Sequence, residues 1–290
     1  VNDQAQMLRK SFGAAPAATA AATPKALGRN GAAKSIAVTS GKGGVGKSTI
    51  SLALGVALAA LNKKVCIIDA DLGLANIHLL LGIAPKRNME HLVNDECVLS
   101  EVITSGPRGV HIIPGASGIQ RMADLEPLRL AMLQRKLAAL EDAYDYLIID
   151  TGAGIGGITV EFASKSDLAI VALTPDPASF ADAYAMVKVL YEKEVGRVLA
   201  LLNMVGSDRE GKETFDKLNA LVVKFLKRPL GLLGVVPVDT QVALLAKRQK
   251  MALMENPRGV FAARIATMAR ALCGAKTEHK EGFFARIFKP

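Results

Sequence analysis

With 290 residues, half of them apolar, the chain can bury the core of one large α/β domain or two small ones, which excludes a wholly disordered protein. Its long apolar run at 50–61 is broken by small residues and falls short of the ~20 residues of a spanning helix. The only cysteines, Cys66, Cys97 and Cys273, stand far apart, and the N-terminus lacks the order of a secretory signal, so no disulfide framework and a cytoplasmic setting are expected. The formal charge of +9 suits an anionic partner, nucleic acid or an acidic membrane surface, but with no Trp and 4% aromatic residues there is little for single-strand stacking.

Taken in chain order, residues 1–33 open with a short mixed segment, 1–12, followed by an Ala/Pro/Thr/Gly-rich stretch without helical or strand period, read as a flexible linker. From Lys34 onward short apolar runs alternate with helical patterns. The runs at 36–39, 65–69, 110–114, 146–150, 168–173, 197–203 and 230–236 predict strands. Helices are predicted at 47–61, 125–142, 179–192, 211–226 and 258–272, where apolar residues recur every three or four positions. This is the rhythm of a mainly parallel sheet with helices on both faces, one domain over 34–273. The remaining 274–290 is polar and then ends in a short segment holding three of the nine phenylalanines.

The segment Gly41-Lys42-Gly43-Gly44-Val45-Gly46-Lys47-Ser48-Thr49 lies between a predicted strand and a predicted helix, the context a P-loop requires. Glycines let backbone N–H groups turn inward around phosphates, the helix N-terminus adds its dipole, Lys47 reaches the terminal phosphate oxygens and Ser48 is placed for Mg²⁺. The apolar run that ends at Asp150, followed by Thr151-Gly152-Ala153-Gly154, is a Walker B pattern whose carboxylate would hold a Mg²⁺-bound water. Asp69 and Asp71 close another apolar run, and ligands of open parallel sheets bind at such strand ends. Asn203 ends a further strand and offers a donor and an acceptor to an adenine edge. Asp239 is open to two readings, a base contact or the N-cap of a following helix.

The box Lys42-Gly43-Gly44-Val45-Gly46-Lys47-Ser48 resembles the deviant Walker A motif of the MinD/ParA ATPases, which have a P-loop fold of the SIMIBI class. The resemblance implies binding of ATP/ADP with Mg²⁺ and an ATP-dependent homodimer in which Lys42 crosses to the partner's nucleotide, much as an arginine finger does. It makes Asp71 the residue that orients the attacking water and Asp69 a support of the Mg²⁺ shell. It places adenine contacts at Asn203 and around Pro237 and Asp239.

Leu72-Gly73-Leu74-Ala75-Asn76, together with Pro114-Gly115-Ala116 and Thr174-Pro175-Asp176-Pro177, is similar to the MinD-like flagellar regulators known as FlhG, FleN or YlxH. In that group a motif like Asp3-Gln4-Ala5-Gln6-Met7-Leu8-Arg9 contacts an FlhF-type GTPase, which assigns partner contacts to Asp3, Gln4, Ala5, Leu8 and Arg9. Flagellar basal-body or regulatory proteins are the further partners implied. The terminal segment resembles the membrane-targeting helix of MinD. On a helix Phe283, Phe284, Ile287 and Phe288 share a face, with Lys280, Arg286 and Lys289 near anionic headgroups. The alternative is that these phenylalanines dock on the protein's own surface. A division-site regulator of the MinD type and a DNA-partitioning ParA type are the rival readings; the terminal aromatic helix favours membrane lipid over direct nucleic-acid binding.

Overall fold

The computed structural model describes residues 33–71, 77–115, 127–273 and 281–288. The partner motif expected at Asp3 to Arg9, the linker through residue 32 and the stretch Leu72 to Asn76 lie outside the described residues. One eight-stranded sheet is built from β1 (Lys34–Ser40), β2 (Val65–Ala70), β3 (Thr104–Ser105), β4 (His111–Ile113), β5 (Tyr146–Ala153), β6 (Leu168–Leu173), β7 (Val198–Val205) and β8 (Gly231–Pro237), in the order β3-β4-β2-β5-β1-β6-β7-β8. Every pairing is parallel except β3 with β4.

The helices are α1 (Lys47–Ala59), α2 (Ile77–Leu80), α3 (Met89–Val93), α4 (Leu99–Val102), α5 (Pro127–Ala143), α6 (Gly157–Lys165), α7 (Pro177–Glu192), α8 (Asp208–Leu226), α9 (Thr240–Lys247), α10 (Ala252–Glu255), α11 (Val260–Cys273) and α12 (Phe283–Ile287). Successive strand residues point to opposite faces, so the central strands feed two cores. Ile36, Val38, Ile67 and Ile148 pack with α1 and α11. Ala37, Ile68, Leu147 and Ile149 pack with α5, α6, α7 and α8. Burial on both faces is why these strands are continuous apolar runs rather than alternating ones.

Helix α1 is buried along almost its whole length, because the sheet covers one side and α11 the other. Gly55 permits the close approach: a Cβ there would stand 2.8 Å from Cδ1 of Ile67. Helix α8 is the opposite case, an outer helix that buries Gly211, Leu218 and Val222 and leaves its other side in water.

The C-terminal helix α12 was expected to offer its phenylalanines to lipid. In the structure it lies against α5 and α6, with Phe283 and Phe284 buried and Ile287 and Phe288 partly so. The Phe283 ring sits 6.1 Å from that of Phe162 and 5.2 Å from that of Phe284. Arg286, expected beside headgroups, is also buried. Its Nη2 donates to Asp167 Oδ1 at 3.0 Å and to Ser35 Oγ at 3.1 Å, and its Nε donates to the Lys165 carbonyl at 2.8 Å. At the other end the Phe284 N–H donates to Glu141 Oε1 at 2.7 Å. A buried guanidinium with these partners is what turns the helix inward.

The sheet positions the site by its topology. Strand β1 lies between β5 and β6, so the winding reverses beside it, and a crevice opens there at the carboxyl ends of the strands. The loop after β1 fills that crevice and leads into α1.

Candidate nucleotide site

Residues 41–46 form the loop, and two of its glycines have left-handed backbone, Gly44 at φ 80° and Gly46 at φ 89°. A side chain at Gly46 would also stand 2.6 Å from Asn203 Nδ2, and one at Gly41 would stand 2.2 Å from the Asp182 carbonyl oxygen. Close approach of neighbouring chain, as well as conformation, demands glycine at these positions. The Ile50 N–H donates to the Gly46 carbonyl at 3.0 Å, so α1 starts directly from the loop and aims its N-terminus over the crevice.

A cavity of about 680 Å³ opens over this loop, lined by Gly43, Gly44 and Gly46 through Thr49, by Asp71 and by Ala153. Lys47 is 7% exposed; burial lowers its pKa, while Asp150 and Asp71 pull it back up. Asp150 is wholly buried and receives the Ser51 hydroxyl on Oδ1 at 2.7 Å. Burial raises its pKa to about 6, against the Ser48 and Ser51 hydroxyls and Lys47, which favour the charged form. Its Oδ2 is buried without a hydrogen-bond partner among the described residues. An orphaned carboxylate oxygen is costly unless a cation or an ordered water completes it, and here it belongs to the residue that also meets Ser48. Ser48 and Asp150 therefore have the hard oxygen donors that would suit Mg²⁺.

Asp69, expected near the metal, stands in register beside Asp150 on the neighbouring strand. It is wholly buried, and its two oxygens accept from the N–H groups of Asp71 at 3.3 Å and Ile77 at 3.2 Å. Burial, with Asp150 beside it, raises its pKa to about 7. Its visible work is to hold the two ends of the 72–76 segment. Asp71 lies at the cavity itself, and its Oδ1 would stand 3.5 Å from a Cβ on Gly152.

Asn203, expected at the adenine, is 6% exposed and donates from Nδ2 to the Val45 carbonyl at 2.8 Å. The amide braces the phosphate loop with one of its two N–H donors. Asp239 accepts the Gln241 N–H at 2.9 Å on Oδ1, the capping alternative, and Pro237 ends β8 beside Val205. Lys42 is not in the lining of its own chain's cavity. Its Nζ stands 3.2 Å from Asp176 Oδ1, both side chains being 44% exposed. Asp176 also caps α7, and the Thr174 hydroxyl, the Ser179 N–H and Lys42 together hold its pKa down to about 2. Ala246, Lys247 and Gln249 also line the cavity, and no motif in the sequence pointed to them.

The comparisons with known proteins agree with this geometry. A family model described as an AAA domain matches residues 33–194. The antiactivator FleN of Pseudomonas aeruginosa is 40% identical over 224 residues, covering 77% of this chain and 80% of FleN. The flagellum site-determining protein YlxH of Helicobacter pylori is 33% identical over 279 residues, covering 92% and 94%. Among solved structures, MinD of Pyrococcus horikoshii complexed with Mg-ADP superposes with a TM-score of 0.67 at 24% identity, over 85% of this chain and all of that one. MinD in the MinC:MinD complex of Aquifex aeolicus gives 0.67 at 24% identity, over 86% and 100%. With a complete phosphate loop, a buried Walker B carboxylate and these relatives, the chain belongs to the MinD/ParA-type P-loop ATPases, in the group that holds FleN and YlxH.

Proposed function

We propose that this ATPase is a nucleotide-gated switch that pairs with a second copy when it holds ATP and Mg²⁺ and regulates the number or placement of flagella. The flagellar assignment rests on its similarity to FleN and YlxH. The loop N–H groups and Lys47 bind the triphosphate, and Ser48 and Asp150 hold Mg²⁺, which when bound screens the phosphate charge. Asp71, beside Gly152 at the cavity, orients the attacking water. Turnover is slow, because one carboxylate and a lysine from another subunit offer modest catalysis; its use is to reset the switch.

The observation that carries the pairing is the position of Lys42. It stands outside its own cavity, with its exposed ammonium paired among the described residues with Asp176 alone, an ion pair that solvent screens, so it is available to another subunit's nucleotide. Four large apolar side chains are also exposed, Leu79 in α2 at 53%, Ile155 just after β5 at 53%, Met204 in the last residues of β7 at 44% and Val238 just after β8 at 58%. An apolar set around a charged crevice suits a protein interface. Light scattering of the Lys42→Ala variant with a slowly hydrolysed ATP analogue and Mg²⁺ tests this. The variant is expected to bind nucleotide and stay monomeric, while the parent dimerises; a dimeric variant would remove Lys42 from the interface.

Membrane association follows if α12 leaves its groove, since its phenylalanines are buried where it now lies. No helix among the described residues is long and apolar enough to cross a membrane, so contact is peripheral in this reading. One short helix binds lipid weakly, and two in a dimer bind by avidity. Co-sedimentation with anionic liposomes should therefore require ATP. The Asp3 to Arg9 motif is assigned to an FlhF-type GTPase.

A further inference from the structure

The cavity over the phosphate loop has a wall that the nucleotide motifs leave unexplained. Ala246, Lys247 and Gln249, at the C-terminal end of α9 and just beyond it, line it together with the loop and Asp71. Helix α9 buries none of its residues fully, so core packing does little to hold it. Its two ends are fixed instead. Asp239 caps the first turn. Beyond the last turn Gln249, itself left-handed at φ 57°, lies against Gly82, where a Cβ would stand 2.9 Å from its Oε1.

Held this way, α9 carries Lys247 to the cavity. Its neighbour Lys250 pairs with Glu255 at 3.4 Å, whereas the Lys247 side chain is exposed and has no ion pair or hydrogen bond among the described residues. The other lysine lining the cavity is Lys47, whose charge Asp150 and Asp71 already offset. A triphosphate brings several negative charges, and Lys42 is engaged elsewhere on its own chain. The eight residues of α9 span about 12 Å at 1.5 Å per residue, comparable with the reach of a nucleotide from base to phosphates.

We propose that Lys247 is a second phosphate-binding lysine, acting in cis, and that the contact of Gln249 with Gly82 positions it. This rests on the reading of the cavity as an ATP site. Helix α9 then brackets the nucleotide, with Pro237 to Asp239 at its base end and Lys247 at its phosphate end. The Gly82 contact also ties this wall to the chain that follows Asp71 and α2, so phosphate held by Lys247 steadies the segment that carries the water-orienting carboxylate.

Calorimetric titration of the full chain with Mg·ATP tests the assignment in Lys247→Gln and Lys247→Arg, with the parent and Lys47→Ala alongside. The Gln variant is expected to bind about tenfold more weakly, the size of one lost charge-assisted contact, and with a shallower dependence on salt. The Arg variant should bind within about twofold of the parent, and both Lys247 variants should melt with the parent when nucleotide is absent. Parental affinity in Lys247→Gln would overturn the proposal and leave the ATP site standing. So would equal weakening in the Arg variant, or a lowered melting temperature without nucleotide, either of which would make Lys247 a packing residue. Failure of the parent itself to bind Mg·ATP would take down the ATP reading and this inference together.

Discussion

Lys47 and Asp150 set the character of the site, a buried cation facing a buried carboxylate whose second oxygen lacks a partner. Replacing Lys47 by Ala removes the phosphate-reaching charge and leaves Asp150 and Asp71 unopposed, so Mg·ATP affinity should fall by at least about a hundredfold in the same titration. Asp150 supports a pH prediction. Its pKa, about 6, is above the usual carboxylate value, so the folded chain binds its proton more tightly than the unfolded chain does. The favourable contribution is therefore full in acid, below the ordinary carboxylate pKa, and is lost as pH rises through about 6. Without nucleotide and metal, Asp150→Asn should be more stable than the parent at pH 8, by on the order of 1–3 kcal/mol, and the gain should vanish near pH 4. Denaturant titration at the two pH values measures it; a destabilised variant at pH 8 would mean that the charge is satisfied in the free protein. With Mg·ATP the order should reverse.

At the scale of elements, the proposed membrane association turns on the position of α12. Its two phenylalanines and Arg286 fill a groove on α5 and α6, and Arg286 pairs with Asp167, whose side chain is 5% exposed. Removing one partner of a buried ion pair costs about 3 kcal/mol. Arg286→Ala should therefore loosen the helix, and the amides of Phe284 and Phe288 should exchange hydrogen roughly a hundredfold faster. The same variant should bind anionic liposomes in ADP; unchanged exchange would mean that the aromatic contacts alone hold the helix. The sequence displays why the terminal segment is amphipathic, but not which surface receives it. Lipid and the α5/α6 groove present the same apolar chemistry, and Asp167 is 119 residues from Arg286. The same limit applies to the contacts that Asn203 and Asp69 make in the fold. Their strand-end positions were legible, yet the bond from Asn203 to Val45 spans 158 residues, and Asp69 bonds backbone on both sides of the 72–76 segment. By contrast the phosphate loop and the seven longer strands were plain, because glycine spacing and two-sided burial are written locally. The antiparallel β3 has two residues, too few for a period.

At the scale of the whole molecule, the proposed function gives one chain a phosphate cradle, a metal-binding pair and a water-orienting carboxylate, while its Lys42 stands apart on Asp176. Two copies related by a two-fold axis would each complete the other's site, an isologous arrangement that closes on itself. The apolar residues around the crevice would be covered only in that state, which makes dimerisation dependent on what the crevice holds. In the proposed switch, dimerisation would double the number of α12 anchors, so that nucleotide, assembly and location would form one linked equilibrium. In this account an Asp71→Ala variant keeps ATP and remains dimeric, because loss of the water-orienting group stops the reset.

The most direct test mixes two inactive variants, Lys42→Ala and Asp71→Ala, and follows ATP hydrolysis against each alone. With Lys42 acting across the interface, a mixed dimer contains one complete site, made of the first variant's Asp71 and the second variant's Lys42, so the mixture should recover a substantial fraction of parental activity. If Lys42 served its own chain's nucleotide, no mixed dimer would contain a complete site, and a mixture as inactive as its components would contradict the account.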